Sequence, residues 1–519
     1  MGPCAFPDRG AAVRAGLPPA TAWAWSRIAL AAAATLACGG AAAQAAGALR
    51  IVPTADASVS VLNSSLPGGN DTVVSLRPGV LMSAQSGRLR FSVDYGLSAL
   101  HHLGSDGTQG QADTLQNALN ATLNANLLDR WLFLDASARI SQQSISAYGQ
   151  QSVDGLQYNS NRTEVSQFSI QPSARGQISD VATVQLNLNA DATHARNGNA
   201  PGSHTTGANF TIASASGASH LGWSGQVSTQ STAYAGGGSK SDDTRVVLSL
   251  LARIDLDLSA TLRAGQETTA VGSVYRQHYS NWGGDLRWVP NNRTTANLSL
   301  DERYFGRSYL ASLEHRMARS SLRFSSTRDV TSGAGTNGVG APVTVYQLLY
   351  TQFASLQPDP VLRDQLVRDF LLSIRQDPNA QVSGGFLNGG TTLQRRDDLA
   401  LSYAGLRSTL IVQAFNSSSR RIDTDATADQ MEPVRQLGLS TSLSYRLTPT
   451  ASLSLTGSRV RTLSSATQEG NQLSSASLAL SQQLSRYVNT ALSARYAVFH
   501  GPTNPYHETA LNATLGLRF

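Results

Sequence analysis

The chain closes on Leu511-Asn512-Ala513-Thr514-Leu515-Gly516-Leu517-Arg518-Phe519, a run in which apolar and polar residues alternate without a break. Successive side chains of a β-strand point to opposite faces. Leu511, Ala513, Leu515, Leu517 and Phe519 therefore share one face, and Asn512, Thr514, Gly516 and Arg518 share the other. The same period of two recurs upstream. Leu89, Phe91, Val93, Tyr95 and Leu97 alternate with Arg90, Ser92, Asp94, Gly96 and Ser98. Val184, Leu186, Leu188 and Ala190 alternate with Gln185, Asn187, Asn189 and Asp191. Leu298 and Leu300 alternate with Asn297, Ser299, Asp301 and Arg303, and Leu478 and Leu480 with Ser477, Ala479 and Ser481.

Half-buried strands alternate in soluble β-sandwiches and solenoids as well. Length separates the readings: many segments here run about twelve to fourteen residues, against five or six in globular strands and about 9–11 needed to cross a membrane at a tilt. No repeat of constant length supports a solenoid. Charged residues make up only 14% of the 519 residues, well under the roughly 25% of soluble domains. Ser, Thr, Asn, Gln and Gly fill the difference, as suits strands with one face in lipid and one lining water.

The amino-terminal segment reads as an export signal. Arg27 precedes the apolar run Ile28–Cys38, which is followed by Gly39-Gly40 and the small-residue stretch Ala41 to Ala45. At eleven residues the run is short of the ~20 that span a bilayer as a helix. The expectation is a signal peptide over 1–45, cleaved after Ala43 or Ala45, and a mature barrel over 46–519. Residues 1–26 are long for the charged region of such a leader. Thr35 to Cys38 loosely matches a lipoprotein processing site, with Thr35 where leucine is usual. Both cysteines, Cys4 and Cys38, precede the expected mature start, so the mature chain has no disulfide or thiolate metal site. The leader carries Arg9, Arg14, Arg27 and Asp8, and its removal lowers the net charge from +6 to +4. The arginines are scattered singly and Lys240 is the only lysine, which excludes the basic stripe of a nucleic-acid binder.

Outer-membrane barrels alternate short periplasmic turns with longer external loops. Short turns are expected at Ser86-Gly87, Leu128 to Arg130, Ser179-Asp180, Asp255 to Ser259, Pro290 to Arg293, Gly405 to Arg407, Thr448 to Thr450 and Ser485 to Tyr487. Longer polar loops lie between them: Asn63 to Asp71, Gly104 to Gln111, Ala147 to Arg162, Asn197 to Ser203, Gly236 to Asp242, Asp423 to Glu432, Ser464 to Asn471 and Gly501 to Tyr506. The scheme predicts an all-β fold, a transmembrane antiparallel β-barrel of about 22 strands (range roughly 16–24). Trp131, Trp223, Trp282, Trp288, Tyr445 and Tyr487 sit near segment ends, where an interfacial aromatic girdle would place them.

One segment, Pro342 to Asn379, changes period from two to near 3.6. Asp359-Pro360 offers an N-cap and a first-turn proline, and Val361, Leu362, Leu366, Val367, Phe370, Leu371 and Ile374 make one apolar stripe. A helical hairpin insert is expected over 342–379, with helices near Val345 to Ser355 and Pro360 to Arg375. Strand parity puts it outside the cell or in the lumen, as a passive cap on the rim or as an occluding plug.

The terminal run Leu511 to Phe519 resembles the last strand of outer-membrane proteins, which the barrel-assembly machinery recognises. Pro358-Asp359-Pro360, Leu393-Gln394-Arg395-Arg396 leading into Leu399 to Arg407 and Thr409-Leu410, and Arg50-Ile51-Val52-Pro53 resemble the outer-membrane β-barrel family associated with the PEP-CTERM exosortase system. The resemblance spans essentially the whole mature chain. It implies a place beside exopolysaccharide synthesis and protein sorting, and carries over no catalytic residue.

No chemical motif competes with this reading. The nine histidines are His101 and His102, on opposite faces of one segment, and seven single ones. No HExxH, CxxC, Gly-x-Ser-x-Gly or P-loop occurs. No cofactor is expected. Arg90, Asp94, Asp301 and Arg303 are the candidate lumen charges. Three functions stay open: a pore or export component, a non-transporting anchor for surface polymer or proteins, and an outer-membrane hydrolase or acyltransferase. The expected partners are outer-membrane lipid and lipopolysaccharide, the barrel-assembly machinery, and exopolysaccharide or its export proteins.

Overall fold

The alternation works as a set of strands because each is hydrogen-bonded on both sides by its sequence neighbours. The computed structural model describes residues 49–66, 70–103, 114–156, 159–196, 202–215, 220–235, 240–271, 276–332, 336–337, 350, 363, 386–423 and 432–518. The first strands are β1 (Arg50–Ser64), β2 (Asp71–Gln85), β3 (Leu89–His102), β4 (Thr114–Leu128), β5 (Leu132–Ser144) and β6 (Arg162–Ile178). Next come β7 (Ala182–Ala195), β8 (Ser203–Ser214), β9 (Leu221–Tyr234), β10 (Ser241–Arg253), β11 (Leu258–Thr269) and β12 (Gln277–Asn291). Then follow β13 (Thr294–Arg303), β14 (Gly306–Arg316), β15 (Ser320–Thr331) and a two-residue pair, β16 (Thr336–Asn337) and β17 (Phe386–Leu387). The series ends with β18 (Thr392–Ala404), β19 (Ser408–Arg421), β20 (Val434–Arg446), β21 (Ala451–Thr462), β22 (Asn471–Gln483), β23 (Val488–His500) and β24 (Tyr506–Arg518).

Setting aside β16 and β17, each strand pairs antiparallel with the next, β15 pairs with β18, and β24 returns to β1 in register from Thr54↔Arg518 to Ser64↔Glu508. Twenty-two strands thus close into one wall. Closure leaves no strand edge unpaired, which is what a β-structure needs in a medium without water. Outward residues include Leu248, Leu262, Leu300, Leu439, Leu478, Leu492 and Leu511, all exposed. The inner face is small and polar, with hydroxyls paired across strands: Ser58 with Ser75 at 2.6 Å, Ser321 with Ser402 at 2.7 Å and Ser458 with Ser475 at 2.8 Å. A closed wall that is apolar outside and hydrophilic inside is the construction of bacterial outer-membrane proteins. The protein is an outer-membrane β-barrel.

Connections run two to four residues at one end, apart from the six of 215–220, and five or more at the other, with one exception. The short ones include 86–88, 129–131, 179–181, 254–257, 405–407, 447–450 and 484–487, which makes that rim periplasmic. Two further connections at this rim, the six-residue 215–220 and the three-residue 317–319, escaped the sequence reading. The exception on the external side is Tyr304-Phe305, a two-residue turn closed by Gly306 at φ +91°, a backbone region that glycine enters without a Cβ clash. Trp131, Trp223, Trp288, Tyr445 and Tyr487 are exposed near the periplasmic rim, while Trp282 lies toward the external one.

Residues 1–45 lie outside the described residues, as does Phe519. The helical hairpin expected over 342–379 is outside them too, apart from Tyr350 and Arg363, whose guanidinium lies 4.9 Å from the Tyr350 ring centroid. Tyr350 and Arg363 are themselves helical, but no helix is delimited among the described residues, and the elements that the connection between β15 and β18 contributes to the described fold are the extended pair β16 and β17.

Candidate functional site: the lumen and its external mouth

Inward residues on the external half of β10–β15 form a charged band. Arg263 lies 2.8 Å from Asp285 and 3.1 Å from Asp301, and donates to Ser299 at 2.8 Å; Arg245 approaches Asp301 at 3.6 Å. One register step outward, Arg303 holds Glu267, reaches Asp329 at 2.8 Å and Asp243 at 3.8 Å. The Glu267 side chain is fully buried, so Arg303 supplies the polar contact there that water does not. Five carboxylates meet three guanidinia in this band, and the lumen wall there carries an acidic excess. Gly283, opposite Asp301 in register, makes room for its carboxylate.

On the next wall segment, Arg396 grips Asp398 at 2.6 Å and lies 4.7 Å over the Phe415 ring. Phe415 in turn covers the backbone of Gly438, where a Cβ would collide with the ring. Of the expected lumen charges, Asp301 and Arg303 belong to the band. Arg90 and Asp94 face inward on β3, exposed to the lumen, across the barrel from it. The structure therefore brings together two of the four. The partners that sequence reasoning missed, Asp243, Arg245, Arg263, Glu267, Asp285 and Asp329, sit on the same inward alternation, and cross-strand register is the information that unites them.

Two segments cross the external mouth. The loop between β5 and β6 folds inward instead of standing away from the rim. Asn161 organises it: its Nδ2 donates to the carbonyls of Ser146 at 2.9 Å and Gln150 at 3.0 Å, and its Oδ1 accepts from the Ser146 amide at 2.8 Å. The far wall then holds the loop. Asn471 donates to the carbonyls of Ala147 at 2.9 Å and Gly149 at 3.2 Å, Thr462 to that of Ala147 at 3.2 Å, and Tyr506 to that of Gln151 at 2.9 Å. Arg495 pairs with Asp154, and Gln116 donates to Gly155 at 3.0 Å. Leu156 packs on Leu62, Val73, Leu100 and Ala510, inward residues that turn apolar just where the loop covers them. Beside this cluster His102 and Asp71 pair at 2.5 Å, both nearly buried. Burial pushes the Tyr148 hydroxyl above its ordinary value, against a hydrogen bond with Ser465.

The second crossing is the stretch 386–391. Phe386 pairs in parallel with Ser144 at the end of β5, and Leu387 is buried on Val165 and Ala195. Tyr234 of β9 and Thr391 bring their hydroxyls to 3.2 Å. In the ring of 22 wall strands, β5 is eleven strands from β18 in either direction, so this stretch joins opposite walls. Six residues reach at most about 21 Å, whereas a circular wall of this strand number would be about 40 Å across. The mouth is narrowed accordingly.

Among the described residues no group of three His, Asp or Glu is placed to hold a metal ion. His278 and His315 bond to Thr268 and Thr294, each at 2.9 Å.

No protein-family model and no curated protein matches the chain. Several solved structures are similar in outline. The FrpB iron transporter from Neisseria meningitidis aligns at 11% identity over 90% of this chain and 81% of that one, with a TM-score of 0.48. The siderophore receptor PirA from Acinetobacter baumannii aligns at 9% identity over 91% and 81%, with a TM-score of 0.49. BauA, the ferric preacinetobactin receptor of the same organism, aligns at 9% identity over 91% and 80%, with a TM-score of 0.44. At such identities and scores, no ligand or activity is carried from them to this chain.

Proposed function

We propose that the barrel is a gated passage across the outer membrane, a pore or export component for a hydrated, charged solute or polymer. The observation that carries this reading is the external mouth crossed by the chain's own segments, 145–161 and 386–391, above a lumen lined by charge. A wall of 22 strands encloses more than its side chains can fill, and a charged lining focuses potential along the passage. The 145–161 loop is held to the wall by side-chain hydrogen bonds and one ion pair and not by strand pairing, contacts that can release without opening the barrel. The link to exopolysaccharide and PEP-CTERM surface systems is supported by the sequence resemblance described above.

The test is conductance of the purified protein in planar bilayers. Wild type is expected to pass little current, with rare openings, and deletion of residues 148–157 to give a steady, larger conductance. If neither passes current, the transport reading fails. A second reading, a non-transporting anchor for surface polymer or proteins, draws on the depth at which Leu387 and Thr391 are buried, 5% and 0% exposed, as in a permanent cover. A knockout that leaves polymer export normal but releases surface material would favour it.

A further inference from the structure

Toward its external end the barrel's outer wall concentrates arginines on one sector, β15 and β18–β21. Arg328 of β15 is the direct cross-strand partner of Arg395 of β18; Arg395 is opposite Ser418 of β19, and Ser418 is opposite Arg435 of β20. One register row thus presents three guanidinia and a hydroxyl outward across four adjacent strands. Arg420 stands two residues above Ser418, opposite Leu393. Directly below the row stand Ser326, Asp397 and Asn416, hydrogen-bonded to one another, with Leu437 beside them. On these strands the wall then turns apolar through Leu399, Leu401, Leu439, Tyr403, Leu443 and Tyr445 toward the periplasmic rim, while β21 carries Arg461 and Arg459 opposite Leu437 and Leu439. Arg435 is two residues from Leu437, about 7 Å along the strand. Four and five strands from β20, the outward residues at this level are His507 and Thr509 of β24 and Val61 and Asn63 of β1, and across the barrel they are Gln142, Glu164 and His194, so the arginine row is a local patch and not a general property of the rim.

Like charges directly opposite one another on a sheet destabilise it, and the described residues do little to offset them. Arg395 is 3.5 Å from Asp397, and Arg328 donates to the Arg307 carbonyl. Glu432 borders the patch but its Oε2 accepts from the Ala466 amide at 2.8 Å. Among the described residues, no carboxylate lies within ion-pair distance of Arg328, Arg420 or Arg435. Between these side chains is an open groove of about 500 Å³. Planar guanidinium forks around a hydroxyl match the oxygens of phosphate.

We infer that this groove is a binding site for the phosphate groups of outer-leaflet lipid headgroups. Its position decides the source: the row lies on the lipid-facing side, one polar row above the apolar belt, with Leu393 in its lining. The site depends on the membrane embedding of the barrel and not on the transport reading.

The experiment uses the full-length barrel in detergent, with diphosphoryl lipid A in mixed micelles as the probe. Wild type and the control Arg486→Gln, at the periplasmic rim, are expected to bind alike. The triple variant Arg395→Gln/Arg420→Gln/Arg435→Gln is expected to bind about tenfold or more weakly. The dephosphorylated lipid should bind wild type as weakly as the triple variant binds the probe, and inorganic phosphate at equal concentration should not compete. Undiminished binding by a triple variant that keeps heat-modifiable migration would overturn the proposal. Full competition by inorganic phosphate would overturn the lipid source. Should the triple variant fail to assemble, Arg435→Gln alone and the salt dependence of wild type decide: binding that neither weakens is not phosphate recognition.

Discussion

Arg303 shows how much a single side chain decides in a water-filled barrel. It is the shared counter-cation of Glu267, Asp329 and Asp243, and the Glu267 side chain has no contact with solvent. Removing one partner of a buried pair costs more than removing both, because a lone charge is left unsolvated. Arg303→Gln is expected to lower stability by on the order of 3 kcal/mol, read as a shift in the urea midpoint of the barrel in detergent. The double variant Arg303→Gln/Glu267→Gln should recover most of that loss. Equal midpoints for the single variant and wild type would mean that water already solvates Glu267. Gly438 makes a steric counterpart. The Phe415 ring occupies the space that any Cβ there would need, so Gly438→Val is expected to expel the ring from under Arg396. Near-ultraviolet circular dichroism would register the loss of fixed aromatic packing, and an unchanged spectrum would refute it.

The β5–β6 loop shows, at the level of an element, where structure departs from pattern. Asn471 holds it to the far wall through two carbonyls. Asn471→Ala should raise the population of the released loop and speed chymotryptic cleavage after Tyr148 by about tenfold, since each ~1.4 kcal/mol lost multiplies the open fraction tenfold. Cleavage at the wild-type rate would show that Asn471 does not hold the gate. The strands themselves were legible. Leu298 and Leu300 against Ser299 and Asp301 record two solvents, lipid and water, which no soluble environment would alternate so polarly for so long. The inward fold of the loop was not. Ser, Asn, Gln and Gly suit a solvated loop as well as one bonded across a lumen, and only Leu62, Val73 and Leu100, apolar on inward faces at external strand ends, hint at a cover. The charged band was half legible: alternation places Asp301 and Arg303 inside, but register is needed to bring Arg245 and Arg263 beside them. The turn at Tyr304-Phe305 was missed because a two-residue turn on the external side breaks the rule that made the other turns readable.

For the molecule as a whole, closure is the condition on which every local feature rests. The wall closes only because β24 finds β1 in a register that keeps Leu511 beside Val61 and Asn512 beside Ser60. A slip of one residue would turn every leucine of the last strand into the lumen. Two neighbouring positions therefore test the architecture against itself. Leu511 faces lipid near mid-height, where a charged side chain costs about 2–4 kcal/mol, while Asn512 faces the water-filled interior and can accommodate charge at little cost. Leu511→Arg is expected to slow or block assembly, seen as loss of the heat-modifiable folded band from outer-membrane fractions, and Asn512→Arg to assemble as wild type does. The opposite ranking would mean that the wall is turned inside out relative to the present register, and equal tolerance would mean that the strand does not face lipid at all.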